Sequence, residues 1–542
     1  MHYLCKLEQF CLKKRRKKYA SDRNPEKKNE EEMKIFTNTG FEDIFNATVQ
    51  AEGDGGDALI ESIASMVTYE LENLRVASKK RYVVFAGPGS NGSIALASAR
   101  MLGEEGQNVV VYLFNIATMP ISDICKMNKE RLEQVEGVKF HEVTTRFDMP
   151  TITKDDVVVD GLFGTGLTMP LKGGYTMLVQ RINESDAYVV SIDTPSGLLS
   201  EWNQNNDRRH IVKADLTLAL LSKKLSFFFA ENAEYVGTCK VLDVEFDRKA
   251  VKATPSEYTL VEEREVRTKL RKRNEFSHKY NYGKMLLAAG SYGMMGAAVL
   301  SARAALRAGV GLLTVHTPKC GFYIMQNAVP EAINNYDMHS SIITEMNVEY
   351  KDYDVVAIGP GIGRQAETMA AVDSMLKRVG KPCIIDADAL YALSANKILL
   401  QSIPAMSILT PHNMEYERIF GKHDSDESRL REAIKMSRRH KIIIVLKGRY
   451  TMVVRPDEQV YINSTGGPAL ATAGSGDVLT GLIGGFVAQG YEMELSASMA
   501  VYVHGAAGDR AEQMLGTYSV TASDIIDNIA PVIRDMLLRN EK

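Results

Sequence analysis

Three small residues stand directly before an acid in the stretch ATAGSGDVLTG, residues 471–481. Gly474, Ser475 and Gly476 carry little side chain, so a ligand can lie against the backbone there, and the first amides of the helix that follows lack intrahelical acceptors. These amides and the positive end of the helix dipole favour phosphate. Beside a phosphate, Asp477 can take a proton from the hydroxyl that attacks phosphorus; the alternative is an ordinary first-turn acid. The stretch predicts a phosphoryl-transfer site with Asp477 as the base.

Four other segments of the same half end predicted strands: GPGIG (359–363), DADAL (386–390), TPHNMEYERI (410–419) and VLKGRYT (445–451). Ligands bind at the carboxyl ends of strands in α/β sheets, so we expect these segments around Asp477. Lys447 directly follows an apolar run and could meet nucleotide phosphates or line the nucleotide pocket. His412 either contacts the substrate or caps the next helix. A Walker-type phosphate loop is absent from the sequence, which excludes that class of NTPase.

The first half of the chain has its own glycine-rich segment, GPGSNGS, with Gly87, Gly89 and Gly92 in the spacing G-x-G-x-x-G. A strand before it and a helix after it are typical of a dinucleotide-binding turn. The acid expected about 20 residues later is missing, because the next strand ends at Asn115, and this disfavours an ordinary Rossmann dehydrogenase. The alternative is that the glycines only permit a tight turn.

Two acids also end apolar runs in this half, Asp160 in VVDGLFGTGL and Asp193 in SIDTPSGL. Burying an unpaired carboxylate is costly, so core packing explains them poorly, although a helix cap remains an alternative for each. Both acids are expected at the same edge of the sheet as the glycine segment.

Apolar, β-branched runs alternate with helical stretches along the chain. Runs of this kind predict strands that are covered on both faces, and the alternation with helices predicts doubly wound parallel sheets. The predicted strands are 81–87, 108–115, 156–164, 187–195, 215–221 and 240–246 in the first half, and 284–291, 311–318, 353–363, 382–390, 407–411, 442–448 and a hairpin over 450–463 in the second. Residues 247–283 are charged and weakly patterned and are interpreted as a connection between domains.

The length of 542 residues is too great for one ordinary core, so we expect two α/β domains, 33–255 and 256–542. Residues 1–32 are basic and expected to be disordered. The segment could be a solvated tail or a targeting or RNA-binding segment. The third alternative is that the true chain starts at Met33, where patterned sequence begins. The net charge of −3 argues against nucleic acid as a partner. Six scattered cysteines and no long apolar run predict a cytoplasmic protein without a membrane segment.

The motifs TPHxxE, VLKGxxT and STGxPxxATxGSGDVLTG resemble the dehydratase domain of the bifunctional NAD(P)H-hydrate repair enzymes, a branch of the ribokinase-like superfamily. The motifs GPGxNG, VVDGLFGTGL and SIDTPSGL resemble the Rossmann-like epimerase domain that precedes it in that family. The resemblance extends from Met33 to the carboxyl terminus. It implies two doubly wound domains and a homo-oligomer whose substrates are the hydrates of NADH and NADPH (NADHX and NADPHX).

For the second domain, the resemblance implies that ADP or ATP, with Mg²⁺, phosphorylates the hydroxyl of the S hydrate. Phosphate then leaves and the reduced cofactor is restored. Asp477 is the implied base. The implied nucleotide-binding residues are Lys447, Gly448, Arg449, Tyr450, Thr451 and Gly476, and the implied contacts of the hydrate are Ala297, Gly363, His412 and Asp477. The departures at Ala473, Asn413 and Met414 remove no reactive group.

For the first domain, the resemblance implies interconversion of the R and S hydrates. It implies potassium ligands at Asn91, Asp160 and Ser196, and substrate contacts at Ser90, Asn91, Gly92, Gly164, Thr165, Gly166, Leu167 and Asp193, in a loop that continues to Pro170. The family usually reads G-x-G-N-N-G-G-D-G, whereas this chain has Ser90 for the first Asn and Ser93, Ile94 and Ala95 for the last three residues. Ile94 cannot accept a hydrogen bond or bind a cation, so a polar contact to the ligand is lost at this position. An intact epimerase and an impaired one are both left open by the sequence.

Two other functions remain open on the sequence. A kinase of a small sugar or vitamin alcohol would use the same anion site and the same base. The first domain could also be a non-catalytic scaffold or ligand-binding module.

Overall fold

The computed structural model describes residues 33–76, 79–116, 119–145 and 147–540. The tail 1–32, for which disorder is expected, lies outside the described residues. The chain divides into two compact units: the first is Ile35–Ser256, and the second runs from Glu257 onward and includes Met33 and Lys34. No helix in the described ranges is long and apolar enough to cross a bilayer.

A sheet of parallel strands forms the centre of the first unit, in the order β4-β3-β2-β5-β6-β7-β8. The chain's first strand, β1 (Met33–Ile35), belongs to the other sheet, and the strands here are β2 (Arg81–Ala86), β3 (Val109–Phe114), β4 (Lys139–Val143), β5 (Asp156–Gly161), β6 (Tyr188–Ile192), β7 (Leu216–Ala219) and β8 (Thr238–Val241). The α-helices are Asn38–Glu52, Asp57–Glu72, Ser90–Glu104, Asp123–Glu133, Gly174–Asn183, Ala233–Val236 and Arg248–Ala253. In the central register Val83 lies opposite Val110 and Val158. Both faces of β2, β3 and β5 are buried, as their continuously apolar runs predict.

The sheet of the second unit has the order β1-β9-β18-β17-β16-β15-β14-β13-β10-β11-β12. Its remaining strands are β9 (Tyr258–Val261), β10 (Lys284–Ala288), β11 (Leu312–Thr317), β12 (Ile333–Tyr336), β13 (Val355–Ile358), β14 (Cys383–Ile385), β15 (Ile408–Leu409), β16 (Ile443–Leu446), β17 (Met452–Val454) and β18 (Val460–Asn463). Its α-helices are Glu263–Lys269, Met295–Ala308, Gly321–Ala328, Ala366–Arg378, Ala387–Ala395, Asn413–Phe420, Asp426–His440, Ser475–Ala488, Met493–Leu515 and Ala522–Arg539. Strands β10 to β16 pair in parallel, while β17 pairs antiparallel with β16 and with β18.

The two α/β sheets confirm the expected fold class, but four strands were not predicted. Strand β1 is only three residues long. Strands β4 and β12 lie at sheet edges and carry polar residues that are exposed or partly exposed, so they lack an apolar run. Strand β9 is only four residues long and pairs with β18. The division between the two units falls within residues 247–283, and this range also contains β9 and two α-helices.

The helix that follows the predicted anion site packs closely on Met295–Ala308. A Cβ atom on Gly481 would lie 2.1 Å from the carbonyl oxygen of Ser301, and one on Gly485 would lie 2.6 Å from Ala308 Cβ. Glycine at these positions lets the two helices approach until their backbones touch. The start of the helix Ser475–Ala488 is therefore held against a fixed neighbour.

We expect Gly481→Ala to destabilise the second unit by about 1–3 kcal/mol, because the added methyl group overpacks this contact. Denaturant unfolding of the purified chain measures the change. Gly296→Ala is the matched control, since it lies in the neighbouring helix with nothing within 4 Å of the added atom. Equal unfolding midpoints for the two variants would contradict the packing argument.

Candidate functional sites

The helix Ser475–Ala488 begins where the sequence predicts an anion site. Its N-cap residue Gly474 has φ of 86°, which a glycine adopts easily, and a side chain there would also clash with Leu300. Gly476 and Asp477 lie in the first turn, and both are partly exposed. No side chain of the described residues caps this helix start. The amide of Ser475 donates to the carbonyl oxygen of Thr472, whereas the amides of Gly476 and Asp477 have no acceptor among the described residues and are available to a ligand.

The carboxyl group of Asp477 lies in an environment that favours its protonated form. Burial and then the negative charge of Asp386 raise its pKa to about 7, while the charge of Lys447 acts in the opposite direction. An acid with a pKa near neutrality is well matched to general base catalysis. Ser301 Oγ donates to the carbonyl oxygen of Asp477 at 2.9 Å, which fixes this turn against the adjacent helix.

Asp386, directly after β14, is a buried carboxylate that accepts from three side chains. Lys447 Nζ and Thr410 Oγ1 donate to its Oδ1 at 2.9 and 2.6 Å, and Thr480 Oγ1 donates to its Oδ2 at 2.6 Å. These partners follow β16, follow β15 and lie on the helix after Gly474, respectively. One carboxylate thus connects two strand ends with the candidate anion site. Sequence reasoning included Asp386 in a candidate segment but assigned it no role.

Lys447 lies beside the first turn of the same helix. A Cβ atom built on Gly476 would be 3.2 Å from Lys447 Nζ. The ammonium group and the free amides therefore surround one small region, which suits a phosphate.

The loop after Lys447 is held by its own hydrogen bonds. Thr451 Oγ1 donates to the carbonyl oxygen of Gly448 at 3.1 Å. Arg449 donates to the carbonyl oxygen of Gly466, and its guanidinium group lies 4.7 Å from the centre of the Tyr450 ring. The predicted nucleotide-binding segment therefore forms one ordered turn next to the anion site.

Two predicted hydrate contacts lie around the glycine loop 359–363: Gly363 belongs to the loop, and Ala297 lies next to it. A Cβ atom on Gly361 would be 2.9 Å from Ala297 Cβ, so the loop 359–363 passes close to the start of the helix Met295–Ala308. The amide of Gly363 donates to Asp388 Oδ2 at 3.0 Å, and Arg364 Nε donates to Asp388 Oδ1 at 2.8 Å. The carboxylate of Asp388 therefore fixes the end of this loop.

For His412, the structure shows the helix cap. Its side chain accepts from the amide of Glu415 at 3.4 Å, and the Glu415 side chain accepts from the amide of His412 at 2.9 Å. Half of the His412 side chain is exposed, so contact with a substrate stays a prediction beside this capping role.

Sequence reasoning missed His504 behind the anion site. Its Nε2 lies 3.1 Å from Ser475 Oγ, and burial, with the nearby charge of Lys447, lowers its pKa to about 4. His504 is therefore neutral at pH 7 and holds the first residue of the helix without adding charge. It lies 29 residues from Ser475 within a buried helix, and no local pattern marks it.

The first unit contains a cavity of about 910 Å³ beside the carboxyl ends of its strands. Seven predicted substrate contacts line it: Ser90, Asn91, Gly164, Thr165, Gly166, Leu167 and Asp193. Gly92 lies behind this wall, where a Cβ atom would be 1.8 Å from the carbonyl oxygen of Gly87, so it permits the tight turn. Ile94 lines the cavity at the position of the family's usual acid.

Of the predicted potassium ligands, Asp160 and Ser196 are hydrogen-bonded to each other, and Asn91 lines the cavity. Asp160 is fully buried, and burial raises its pKa, although Ser196 donates to it from both its amide and its hydroxyl, at 2.8 and 2.5 Å. Asn91 Nδ2 donates to the carbonyl oxygen of Ile192, whereas Asn91 Oδ1 is buried without a hydrogen-bond donor. A buried unsatisfied amide oxygen is costly, and a cation would satisfy it. These oxygen atoms fit the donor set that potassium takes.

Asp193 combines a strained backbone with a buried ion pair. Its φ is 66°, which is unusual for a residue with a side chain. Lys224 Nζ lies 3.0 Å from Asp193 Oδ1, and the lysine is only 1% exposed. Sequence reasoning missed Lys224. The signal was a lysine between two apolar runs in LLSKKLSFFF.

Comparisons with known proteins match both units. The family described as NAD(P)H-hydrate dehydratase matches residues 285–531, and the family described as YjeF-related protein N-terminus matches residues 56–226. The bifunctional NAD(P)H-hydrate repair enzyme Nnr of Moorella thermoacetica is 33% identical over 88% of this chain and 93% of its own length. The enzyme of that name from Thermofilum pendens is 34% identical over 83% of this chain and 87% of its own length.

The chain belongs to the bifunctional NAD(P)H-hydrate repair enzymes. This confirms the family that the six motifs indicate. A solved structure, the ADP/ATP-dependent NAD(P)H-hydrate dehydratase from Bacillus subtilis co-crystallised with ATP and Mg²⁺, is 30% identical and covers 51% of this chain and 97% of that one, with a TM-score of 0.44. The match to the YjeF-related N-terminus precedes the match to the dehydratase along the chain.

Proposed function

We propose that this chain repairs hydrated NADH and NADPH. Its second unit is an ADP- or ATP-dependent dehydratase that returns the S hydrate to the reduced cofactor, and its first unit is an epimerase that interconverts the R and S hydrates. The observation that carries the proposal for the dehydratase is the helix start at Gly476, where free amides, Lys447 and a carboxyl group of pKa about 7 meet.

Each group at the dehydratase site has a distinct part in the proposed reaction. Asp477 takes the proton from the hydroxyl of the hydrate as that oxygen attacks the terminal phosphorus of the nucleotide. The helix amides and Lys447 stabilise the charge that develops on the transferred phosphoryl group. Water is a poor leaving group and phosphate a good one, so phosphorylation makes the later elimination possible.

The nucleotide is proposed to lie along the turn of Lys447, Gly448, Arg449, Tyr450 and Thr451, with its terminal phosphate at Gly476. Mg²⁺ is usually held by one or two carboxylates together with the phosphates of a nucleotide, and Asp386 and Asp388 follow β14 near this place. The metal would neutralise phosphate charge there. Ala297, Gly363 and His412 are proposed to contact the hydrate.

In the first unit, the cavity is proposed to hold the hydrated nicotinamide, and Asn91, Asp160 and Ser196 are proposed to hold potassium. The homo-oligomer and the cytoplasmic location stay predictions.

The proposal is tested with purified full-length chain, a mixture of R and S hydrates, and ATP or ADP in turn. We expect absorbance of the reduced nicotinamide to recover completely, with one inorganic phosphate released for each cofactor restored. Recovery that stops at the S fraction would contradict the epimerase assignment. Accumulation of a phosphorylated product without release of phosphate would show a kinase instead.

Potassium is expected to act on both the rate and the stability of the first unit. Replacing K⁺ with tetramethylammonium should slow R-hydrate consumption, and the melting temperature of the chain should rise with added K⁺ because the ion satisfies Asn91 Oδ1. Asn91→Leu removes that oxygen and should abolish the stabilisation. A melting temperature of wild-type chain that is indifferent to K⁺ would contradict the ion site.

A further inference from the structure

The cavity of the first unit is lined by two carboxylates of the described residues, Asp193 and Glu42. Glu42 lies at an exposed position, whereas Asp193 is 3% exposed. Asp160 is not among the residues that line the cavity, and Ile94 occupies the position where the family usually has an acid. Asp193 is therefore the buried carboxylate that can meet a hydroxyl inside this cavity.

The two oxygens of Asp193 differ in how many donors they accept from. Oδ1 accepts from Lys224 Nζ at 3.0 Å and from the amide of Leu220 at 3.4 Å. Oδ2 accepts only from the amide of Thr165 at 2.7 Å among the hydrogen bonds of the described residues. A carboxylate oxygen accepts about two hydrogen bonds, so Oδ1 is saturated and Oδ2 keeps one acceptor site.

The free acceptor site of Oδ2 is next to Gly164, which lines the cavity. A Cβ atom on Gly164 would lie 2.7 Å from Oδ2. Because glycine has no side chain, Gly164 can lie against Oδ2 without covering it, and both residues line the cavity that would hold a substrate hydroxyl.

Lys224 is a buried cation whose ammonium group has three contacts. Its ammonium group donates to the carbonyl oxygen of Leu220 at 3.0 Å and lies 4.4 Å from the centre of the Phe41 ring, in addition to its pair with Asp193. Removing a cation from water is costly, and an aliphatic side chain would fill the same space more cheaply. A buried cation and a strained φ at its partner are two unfavourable features in one place, which is typical of a functional site.

We propose that Lys224 is a positioning residue of the epimerase. It occupies Oδ1 of Asp193 and so presents Oδ2 to the hydroxyl of the hydrate beside Gly164. Asp193 takes the hydroxyl proton as the bond between the hydroxyl-bearing carbon and the ring nitrogen breaks, with the electron pair passing to nitrogen, and returns it when that bond re-forms on the opposite face. This inference rests on the proposed epimerase function and names the residue that orients its base.

The test uses full-length chain with mixed hydrates and ATP, because the dehydratase of the same molecule then reports both steps. The fast phase consumes the S hydrate, and the slow phase gives the rate of epimerisation. In Lys224→Met we expect kcat of the slow phase to fall roughly 10–100-fold, as for partners that orient a reactive group, with KM unchanged. The fast phase should not change, and Lys223→Met, at the adjacent and more exposed lysine, should leave both phases unchanged.

A double-mutant cycle separates orientation from packing. Asp193→Asn with Lys224→Met should be no slower than Asp193→Asn alone, because the lysine acts through the aspartate. Lys224→Gln keeps a donor for Oδ1, and it should recover part of kcat at the same melting temperature as Lys224→Met. Gly164→Ala, which places a methyl group against Oδ2, should lose epimerisation while Lys224 is intact.

The inference is overturned if Lys224→Met keeps the wild-type slow phase, if only KM rises, or if the double variant falls below Asp193→Asn. If Lys224→Met lowers the melting temperature, two other rates decide: kcat of Lys224→Gln must exceed that of Lys224→Met, and the double variant must be no slower than Asp193→Asn. Wild-type chain that consumes R hydrate only at the spontaneous rate would instead reject the epimerase itself.

Discussion

Asp477→Asn is expected to lower the rate of cofactor recovery from the S hydrate by about 10²–10⁴-fold, the range that a general base contributes. The amide cannot take the proton of the attacking hydroxyl, while the shape of the site is kept. Nucleotide affinity, measured by calorimetry, should change little, because the carboxylate is proposed to contact the hydrate and not the nucleotide. Glu263→Gln is the control, since Glu263 is also a first-turn acid and pairs with Arg539 on the surface.

The pH dependence gives a second test of the same residue. Because burial and Asp386 raise the pKa of Asp477 to about 7, the rate in wild-type chain should rise with pH through about 7 and then level off. Asp386→Asn removes the negative charge that raises the pKa of Asp477, so the rise in rate should move to lower pH.

The stability contributed by Asp477 falls as pH rises, whereas the reaction rate rises with pH. A pKa raised above its usual value contributes stability below about pH 4, and that contribution is lost as pH rises through about 7. Asp477→Asn should therefore melt no lower than wild type above pH 7. A variant that loses activity only because it unfolds would contradict the catalytic assignment.

Lys447→Met is expected to have the second largest effect, on stability and turnover together. It leaves the buried carboxylate of Asp386 with two hydroxyl donors and no cation, which should cost roughly 2–3 kcal/mol of unfolding free energy. It also removes a positive charge from the anion site, so kcat should fall by roughly 10²–10³-fold. Denaturant unfolding and phosphate release measure the two effects.

The double variant Asp386→Asn with Lys447→Met distinguishes these roles. Removing both charges should restore part of the stability, because no unpaired buried charge remains. Turnover should stay low, because the ammonium group beside Gly476 is still missing. Recovery of turnover together with stability would show that Lys447 only supports the fold.

Local patterns in the sequence predicted the fold class and the helix that begins after Gly474. A glycine-rich segment before an acid and a helix determines the geometry near Gly476 within a few residues, and the structure has that helix start. Strand β12 could not be predicted in this way, since its residues INNY carry no apolar run, although they pair with β11.

Residues that act through distant partners were beyond local patterns. Asp386 meets Lys447 and Thr480, which are 61 and 94 residues away along the chain. Lys224 follows another lysine and looks like a solvated residue until the fold surrounds it with Phe41 and Asp193. Burial and pairing of this kind depend on the tertiary packing alone.

A crystal structure of the full chain with Mg²⁺ and a non-hydrolysable ATP analogue tests the central claim most directly. We expect an oxygen of the terminal phosphate to lie about 3 Å from the amide nitrogens of Gly476 and Asp477, close to Lys447 Nζ, with the Asp477 carboxylate beside the phosphorus on the side away from the nucleotide. A terminal phosphate bound elsewhere, with those amides facing only solvent, would contradict it.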